Sequence, residues 1–306
     1  MAKAFLIAVL LCMLFNIALQ IGTYQSYQVI PCFIEMHFRF FSERADKFTI
    51  QTEPRESQMR IRDDICACLM LSLIGLILPL CVLQLLLSIL QPQMPIYLGS
   101  LMDPKNLTII YVLGFSFVFC YIFFTFMINC VLWSLVLLPY LFSLYKLLLQ
   151  LWLGQKSYYT LDSLRSSPNF IHTWRCLEWI QKEFNHIFCP VVLLANKWIF
   201  IFLCVYNFIV VMKVGGIVAG VSILSALACA GELVIVFTFL GMINQTSQEV
   251  LGSWKTQPGT HLQKSIRSMR SLRIYVGTFY FADRGMVLTM LRAVLELTAS
   301  ILVTYH

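Results

Sequence analysis

The chain has 306 residues, of which 59% are hydrophobic and 12% charged, with a formal net charge of +7. A soluble globular chain carries roughly a quarter charged residues, so half that share excludes a soluble domain and points to a polytopic membrane protein. The basic residues are spread over several segments rather than gathered on one face, which argues for membrane orientation and against a nucleic-acid module.

Apolar runs fall at about 4–30, 66–90, 109–153, 190–212, 215–241 and 285–304. A span takes around 20 apolar residues, so five of the six runs are single spans by length. The first run has two further readings. Lys3 followed by Ala4–Phe15 has the layout of a secretory signal, although the run is long for one and lacks a small-x-small cleavage site. Alternatively, a span preceding Met1 is missing from this sequence.

The run 109–153 is about twice a bilayer crossing: helical, it would reach ~67 Å against a hydrocarbon core of ~30 Å. Either it is a hairpin broken near Pro139, giving seven spans, or one long helix leaving the bilayer, giving six. Lys and Arg collect in cytoplasmic loops, and they favour six. With one long helix, loop 31–65 (Arg39, Arg44, Lys47, Arg55, Arg60, Arg62), segment 154–189 (Lys156, Arg165, Arg175, Lys182) and segment 242–285 (Lys255, Lys264, Arg267, Arg270, Arg273, Arg284) share the inner side. Only Lys3, Lys105 and Lys213 then lie outside. A hairpin moves loop 31–65, which also carries seven acids, to the outer side. The sequon Asn106-Leu107-Thr108 falls outside in the six-span arrangement and is the candidate glycosylation site. The second sequon, Asn244-Gln245-Thr246, falls inside and is expected to be unused.

A helix that leaves the bilayer while staying apolar must bury itself against protein. Segment 169–189 supplies a complement: Phe170, Trp174, Leu177, Ile180 and Phe184 recur at helical spacing, with Arg175, Glu178 and Lys182 between them. The expectation is a cytoplasmic helical layer built from the extensions of spans three and four, with Trp174, Leu177, Ile180 and Phe184 as its anchor.

Most of the eleven cysteines (Cys12, Cys81, Cys120, Cys130, Cys204 and Cys229 among them) lie inside apolar runs and read as small hydrophobes. Cys66 and Cys68 form a CAC motif, but the histidines are scattered, so no metal and no cofactor is expected. Ser, His and Asp are dispersed and no phosphate-cradling glycine loop appears, which points away from an enzyme and leaves no catalytic residue to nominate. Asn16, Gln84 and Asn129 read as interhelical hydrogen bonders or ligand contacts. The aromatics of 111–127, with Phe115, Phe119 and Tyr121 foremost, line a pocket or pack and meet lipid. Arg292 and Glu296 sit at i and i+4 on one face of the last run, either as a structural pair or facing a permeation pathway.

The last forty residues run from a basic lead (Arg267, Arg270, Arg273) through a glycine–aromatic turn (Gly277, Phe279, Tyr280, Phe281, Asp283, Arg284) into the final span. Together with Glu183–Phe188, Leu193, Leu194, Phe200, Phe202 and Tyr206, they resemble the arthropod gustatory and odorant receptor superfamily over roughly residues 170–306. The likeness rests on spacing and residue class. It implies an all-α polytopic transmembrane bundle with cytoplasmic helix extensions, a seven-helix receptor-channel fold of which six spans are present and the first helix is lacking. It further implies a ligand-gated non-selective cation channel in the plasma membrane that senses small organic tastants or odorants. The extracellular C-terminus, the homo- or hetero-tetrameric assembly with related receptor subunits, and the lack of a G-protein partner follow from the same likeness. Residues 1–153 would then carry the ligand-binding bundle, and 154–306 the anchor and the last three spans. Arg292, Glu296, Thr298 and Thr304 would be the candidate pore or gating residues. One departure is plain: the family's Thr-Tyr pair in its last helix aligns here with Glu296-Leu297, and Thr304-Tyr305 comes about eight residues later. A transporter or other non-channel membrane binding protein is the rival reading, weakened by the absence of an internal repeat.

Overall fold

The computed structural model describes residues 2–49, 108–155, 157–213, 216–278 and 280–304, with a few positions between 82 and 103. Most of the run 66–90, the CAC motif, Gln84 and Asn106 lie outside the described residues. The chain is helical: α1 (Ala2–Ser26), α2 (Val29–Phe48), α3 (Ile109–Leu151), α4 (Ser167–Phe188), α5 (Val192–Lys213), α6 (Gly216–Lys255), α7 (Thr260–Ser268) and α8 (Gly285–Thr304). A hairpin of two-residue strands, β1 (Tyr275–Val276) and β2 (Tyr280–Phe281), precedes α8. By length and composition, four stretches are able to cross a membrane: Val131–Leu151, Val192–Met212, Ser222–Lys255 and Gly285–Val303, with Ile109–Thr125 a shorter apolar helical stretch.

The backbone divides into two compact units. The first takes α1 as far as Ile21 and α3 as far as Leu138; the second takes Gly22–Arg55 and Pro139–Thr304. In the first, Asn129 Nδ2 donates to Asn16 Oδ1 at 3.3 Å, both side chains buried. A buried amide without a partner is costly, and across apolar helices this pairing is the usual remedy.

α3 is one uninterrupted helix of 43 residues with Pro139 inside it, so the hairpin reading does not hold. Its two halves differ. Ile109, Ile110, Tyr111, Phe117 and Tyr121 are exposed, whereas Tyr140, Leu141, Leu144, Leu148 and Leu151 are fully buried. Apolar side chains left open over several turns suit a lipid environment, while the second half finds protein.

That protein is α4 and, against expectation, α2. The stretch 31–65 reads as a loop in the sequence, but Val29–Phe48 is an amphipathic helix. Phe33, His37 and Phe48 face inward, while Glu35, Arg39 and Glu43 face out, with Arg39 Nε 2.9 Å from Glu43 Oε1. Hydropathy alone misses such a helix because only one face is apolar. Phe33 meets Tyr140 edge-on at 5.4 Å and lies within 6.1 Å of Phe184 and 5.9 Å of Phe188; Tyr140 stacks on Phe184 at 4.6 Å. The α4 face at Phe170, Trp174, Leu177, Ile180 and Phe184 is wholly buried, each such side chain contributing about 1.5–3 kcal/mol on leaving water.

α6 also exceeds the apolar run 215–241 and continues to Lys255, so the helical layer has an extension the sequence reading lacked. Trp254 stacks on Phe170 at 3.9 Å and donates from Nε1 to the Leu151 carbonyl at 2.8 Å, closing the end of α3. The loop after α3 is organised by Arg165. Its guanidinium lies 3.7 Å over the Tyr158 ring, donates to Thr160 Oγ1 at 3.0 Å and pairs with Asp162. Gln150 Oε1 accepts from the Tyr159 amide and the Thr160 hydroxyl, both at 3.1 Å, and the Leu161 amide donates to the Phe48 carbonyl at 2.7 Å, tying in the end of α2.

Candidate functional site

Residues 269–276 leave α7 as an extended strap. Leu272, Ile274 and Val276 are buried while Arg273 and Tyr275 are exposed, the two-residue alternation of a strand. Short of the hairpin this strap has no neighbouring strand among the described residues, so its backbone groups need other partners. Polar side chains of α4 do the pairing. Glu178 Oε1 accepts from the Arg270 amide at 2.7 Å, and Trp174 Nε1 donates to the Arg270 carbonyl at 3.3 Å. Asn185 Nδ2 donates to the Arg273 carbonyl at 2.9 Å, while its Oδ1 accepts from the Tyr275 amide at 3.3 Å. From the other side, Ser247 Oγ on α6 accepts from the Leu272 amide at 3.0 Å. Trp174, Glu178, Gln181 and Asn185 recur every three or four residues, so they form one rail along α4. Gln181 links the rail inward by accepting from Tyr140 Oη at 2.8 Å.

The strap ends in the hairpin. Gly277 has φ +68°, a left-handed conformation that favours glycine, and its amide donates to the Cys189 carbonyl at 2.9 Å in the turn between α4 and α5. Burial pushes the Cys189 thiol up to about 12, so it stays protonated and donates to Asn185 Oδ1 at 3.0 Å. Tyr280 Oη accepts from Lys197 Nζ at 2.8 Å, tying the hairpin to α5. The Arg273 guanidinium lies 4.8 Å over the Phe281 ring. Asp283 Oδ1 accepts from the Met286 amide at 2.8 Å and so caps the start of α8, with Arg284 exposed beside it. Phe279 lies outside the described residues.

One glycine that the sequence reading passes over decides how close α8 begins to α6. A Cβ at Gly241 would sit 2.8 Å from the Asp283 carbonyl carbon and 2.9 Å from the Arg284 nitrogen. Only a residue without a side chain lets the chain turn there. Such a glycine inside an apolar run carries no local signal; its reason lies 42 residues on in the sequence.

On α8, Met286, Val287, Met290 and Val294 are buried, while Leu288, Leu295 and Val303 are exposed. Arg292 Nε and Glu296 Oε1 are 2.6 Å apart, with 78% and 61% of their side chains open. Thr298 turns its hydroxyl back to the Val294 carbonyl at 2.7 Å. Thr304 is the last residue of the helix, and its side chain lies outside the described residues. The pocket candidates lie elsewhere, on the first half of α3: Phe115 stacks with Tyr111 at 6.3 Å and is half-buried, as is Phe119, while Tyr121 is exposed. Asn129 is engaged with Asn16. The structure thus gathers the turn residues and the rail of α4 around one joint, and leaves the aromatics of α3 in the other unit.

The members of this joint that the sequence did not nominate as site residues are Asn185, Gln181, Glu178, Ser247, Lys197 and Gly241. The first three share the helical spacing of the apolar face and are legible as a second stripe. No protein-family model matches the sequence, and a search of curated proteins finds none similar to it.

Proposed function

We propose that the chain is a chemosensory receptor of the gustatory and odorant receptor kind, a ligand-gated non-selective cation channel of the plasma membrane. The observation that carries the reading is the joint before α8. A buried helical layer holds the strap by a rail of side chains, the strap ends in the glycine–aromatic hairpin, and the hairpin is capped by Asp283 onto an apolar helix. That helix keeps an ion pair on its open face.

In this reading a small organic ligand binds the first unit, where Phe115, Phe119 and Tyr121 lie, and favours one state of the bundle over another. The response reaches α8, whose open face with Arg292 and Glu296 lines a central conduit in a homo- or hetero-tetramer of related subunits. Thr298 and Thr304 lie further along the same helix. The helical layer stays in the cytoplasm as anchor, six spans cross the membrane, the C-terminus is extracellular and no G protein takes part. No catalytic step and no cofactor enters.

Expression in oocytes with a panel of small organic ligands tests it. A ligand-evoked cation current is expected; saturable uptake of a ligand without such a current overturns the channel and favours a transporter.

A further inference from the structure

We propose that Cys204 and Cys229 form an oxidisable thiol pair, closed to a disulfide by a hydroperoxide, which ties α5 covalently to α6. Cys204 Sγ lies 3.7 Å from the Ala226 carbonyl oxygen. Cys229 stands three residues further along α6, on the face that carries Ala226. The register is set by a polar bond beside the thiols, Asn207 Nδ2 donating to Ser225 Oγ at 3.1 Å. Ala226 is buried at this crossing, and a small residue there lets two helix backbones approach closely. Bridging needs Cα atoms within about 7 Å, which suits a small-residue crossing. Neither thiol is in a disulfide, and Cys204 is buried and Cys229 half-buried.

Their setting decides which reagents arrive. Both lie within stretches apolar and long enough to span the membrane, on helices separated by two residues in sequence. They are nine and thirteen residues from the facing helix ends Lys213 and Gly216, or roughly 13 and 20 Å along the axes. Charged thiols such as glutathione are expelled from hydrocarbon, whereas neutral hydroperoxides enter it. An oxidised pair would therefore persist where an aqueous one would be reduced.

The chemistry balances without a metal. One thiol gives up its proton and its sulfur attacks a peroxide oxygen; the O–O bond breaks, and the departing oxygen takes the proton as an alcohol or water. The sulfenic acid so formed is attacked by the second sulfur; its S–O bond breaks and water leaves with the remaining thiol proton. Two thiols are oxidised by two electrons and one hydroperoxide is reduced by two.

The test uses the full chain in phospholipid vesicles, treated either with hydrogen peroxide or with lipid-soluble cumene hydroperoxide, then alkylated and digested without reductant. A Cys204–Cys229 linked peptide is expected, lost on treatment with dithiothreitol. In C204S the link is expected to vanish and Cys229 to become trappable by dimedone, a reagent for sulfenic acids; C229S should show the converse. Faster closure by cumene hydroperoxide would identify the bilayer as the source of oxidant, and faster closure by hydrogen peroxide the aqueous phase. If both cysteines of the wild-type chain remain alkylatable after either oxidant, or link instead to other cysteines, the proposal is overturned. The measurement is independent of any current, so it stands or falls apart from the channel reading.

Discussion

At the scale of single residues, space and charge make sharp demands. Gly241→Ala puts a methyl group against the Asp283–Arg284 backbone, and overpacking of this kind costs about 1–3 kcal/mol. Gly252→Ala, on the same helix with nothing within 4 Å of the added carbon, is expected to be neutral or to stabilise by up to ~1 kcal/mol. Thermal midpoints of the purified variants in detergent check the contrast; equal midpoints would remove the close approach from the account. His37 is packed among Phe33, Phe38, Phe41 and Tyr140, and burial pushes its pKa down to about 4. Because the folded value lies below the unfolded one, the unfolded chain binds the extra proton. The stability is therefore whole above about pH 6.5 and is lost as pH falls towards 4, on the order of 3 kcal/mol in all. His37→Phe should flatten the pH dependence of the unfolding midpoint over that window.

At the scale of elements, the rail of α4 is the feature with the most consequence. Its apolar stripe, Trp174, Leu177, Ile180 and Phe184, is readable from spacing alone, since a 3.6-residue period places these side chains on one face. The second stripe, Glu178, Gln181 and Asn185, reads as side chains facing water until the strap lies on it. Removing Asn185 takes away two bonds to the strap's backbone, at the Arg273 carbonyl and the Tyr275 amide. Asn185→Ala is expected to cost about 1–3 kcal/mol and to speed amide exchange at Tyr275 and its neighbours while leaving α3 protected. Unchanged exchange at Tyr275 would mean that the strap is held by its apolar residues and not by the rail. α2 went unread for a related reason. Its aromatic and charged residues average to a hydropathy typical of a loop, and only the packing of Phe33 against Tyr140 and Phe184 reveals which face matters.

At the scale of the whole molecule, the predictions concern the membrane. The Arg292–Glu296 pair lies within one helix and is left uncovered by the rest of the protein, and such i,i+4 pairs contribute little to folding. Arg292→Gln and Glu296→Gln should therefore leave the yield of folded protein unchanged. If α8 lines the conduit, they should change the relative permeability of cations in opposite senses. Unaltered permeability in both variants would remove the pair from the pore. In the six-span arrangement Asn106 faces the lumen during synthesis, so a glycan sensitive to Asn106→Gln is expected on the expressed chain. An unglycosylated chain that carries an engineered glycan on the 31–65 segment would invert the orientation.

Composition and hydropathy by themselves determined that this is a helical chain built around apolar stretches long enough to cross a bilayer. They also determined a helix with one buried face over 169–189, which the structure bounds at Ser167–Phe188. Both are consequences of local period and of the cost of placing polar groups in hydrocarbon, which every window of the sequence carries within itself. The Lys and Arg count also favoured one helix through Pro139, and α3 is one. Only the tertiary structure decided that α2 and the end of α6 join the buried layer, and that Gly241 must be glycine. Those depend on what lies opposite: a half-apolar helix that needs a partner, a carbon with no room. Contacts between distant segments set them, and no local window contains both sides of such a contact.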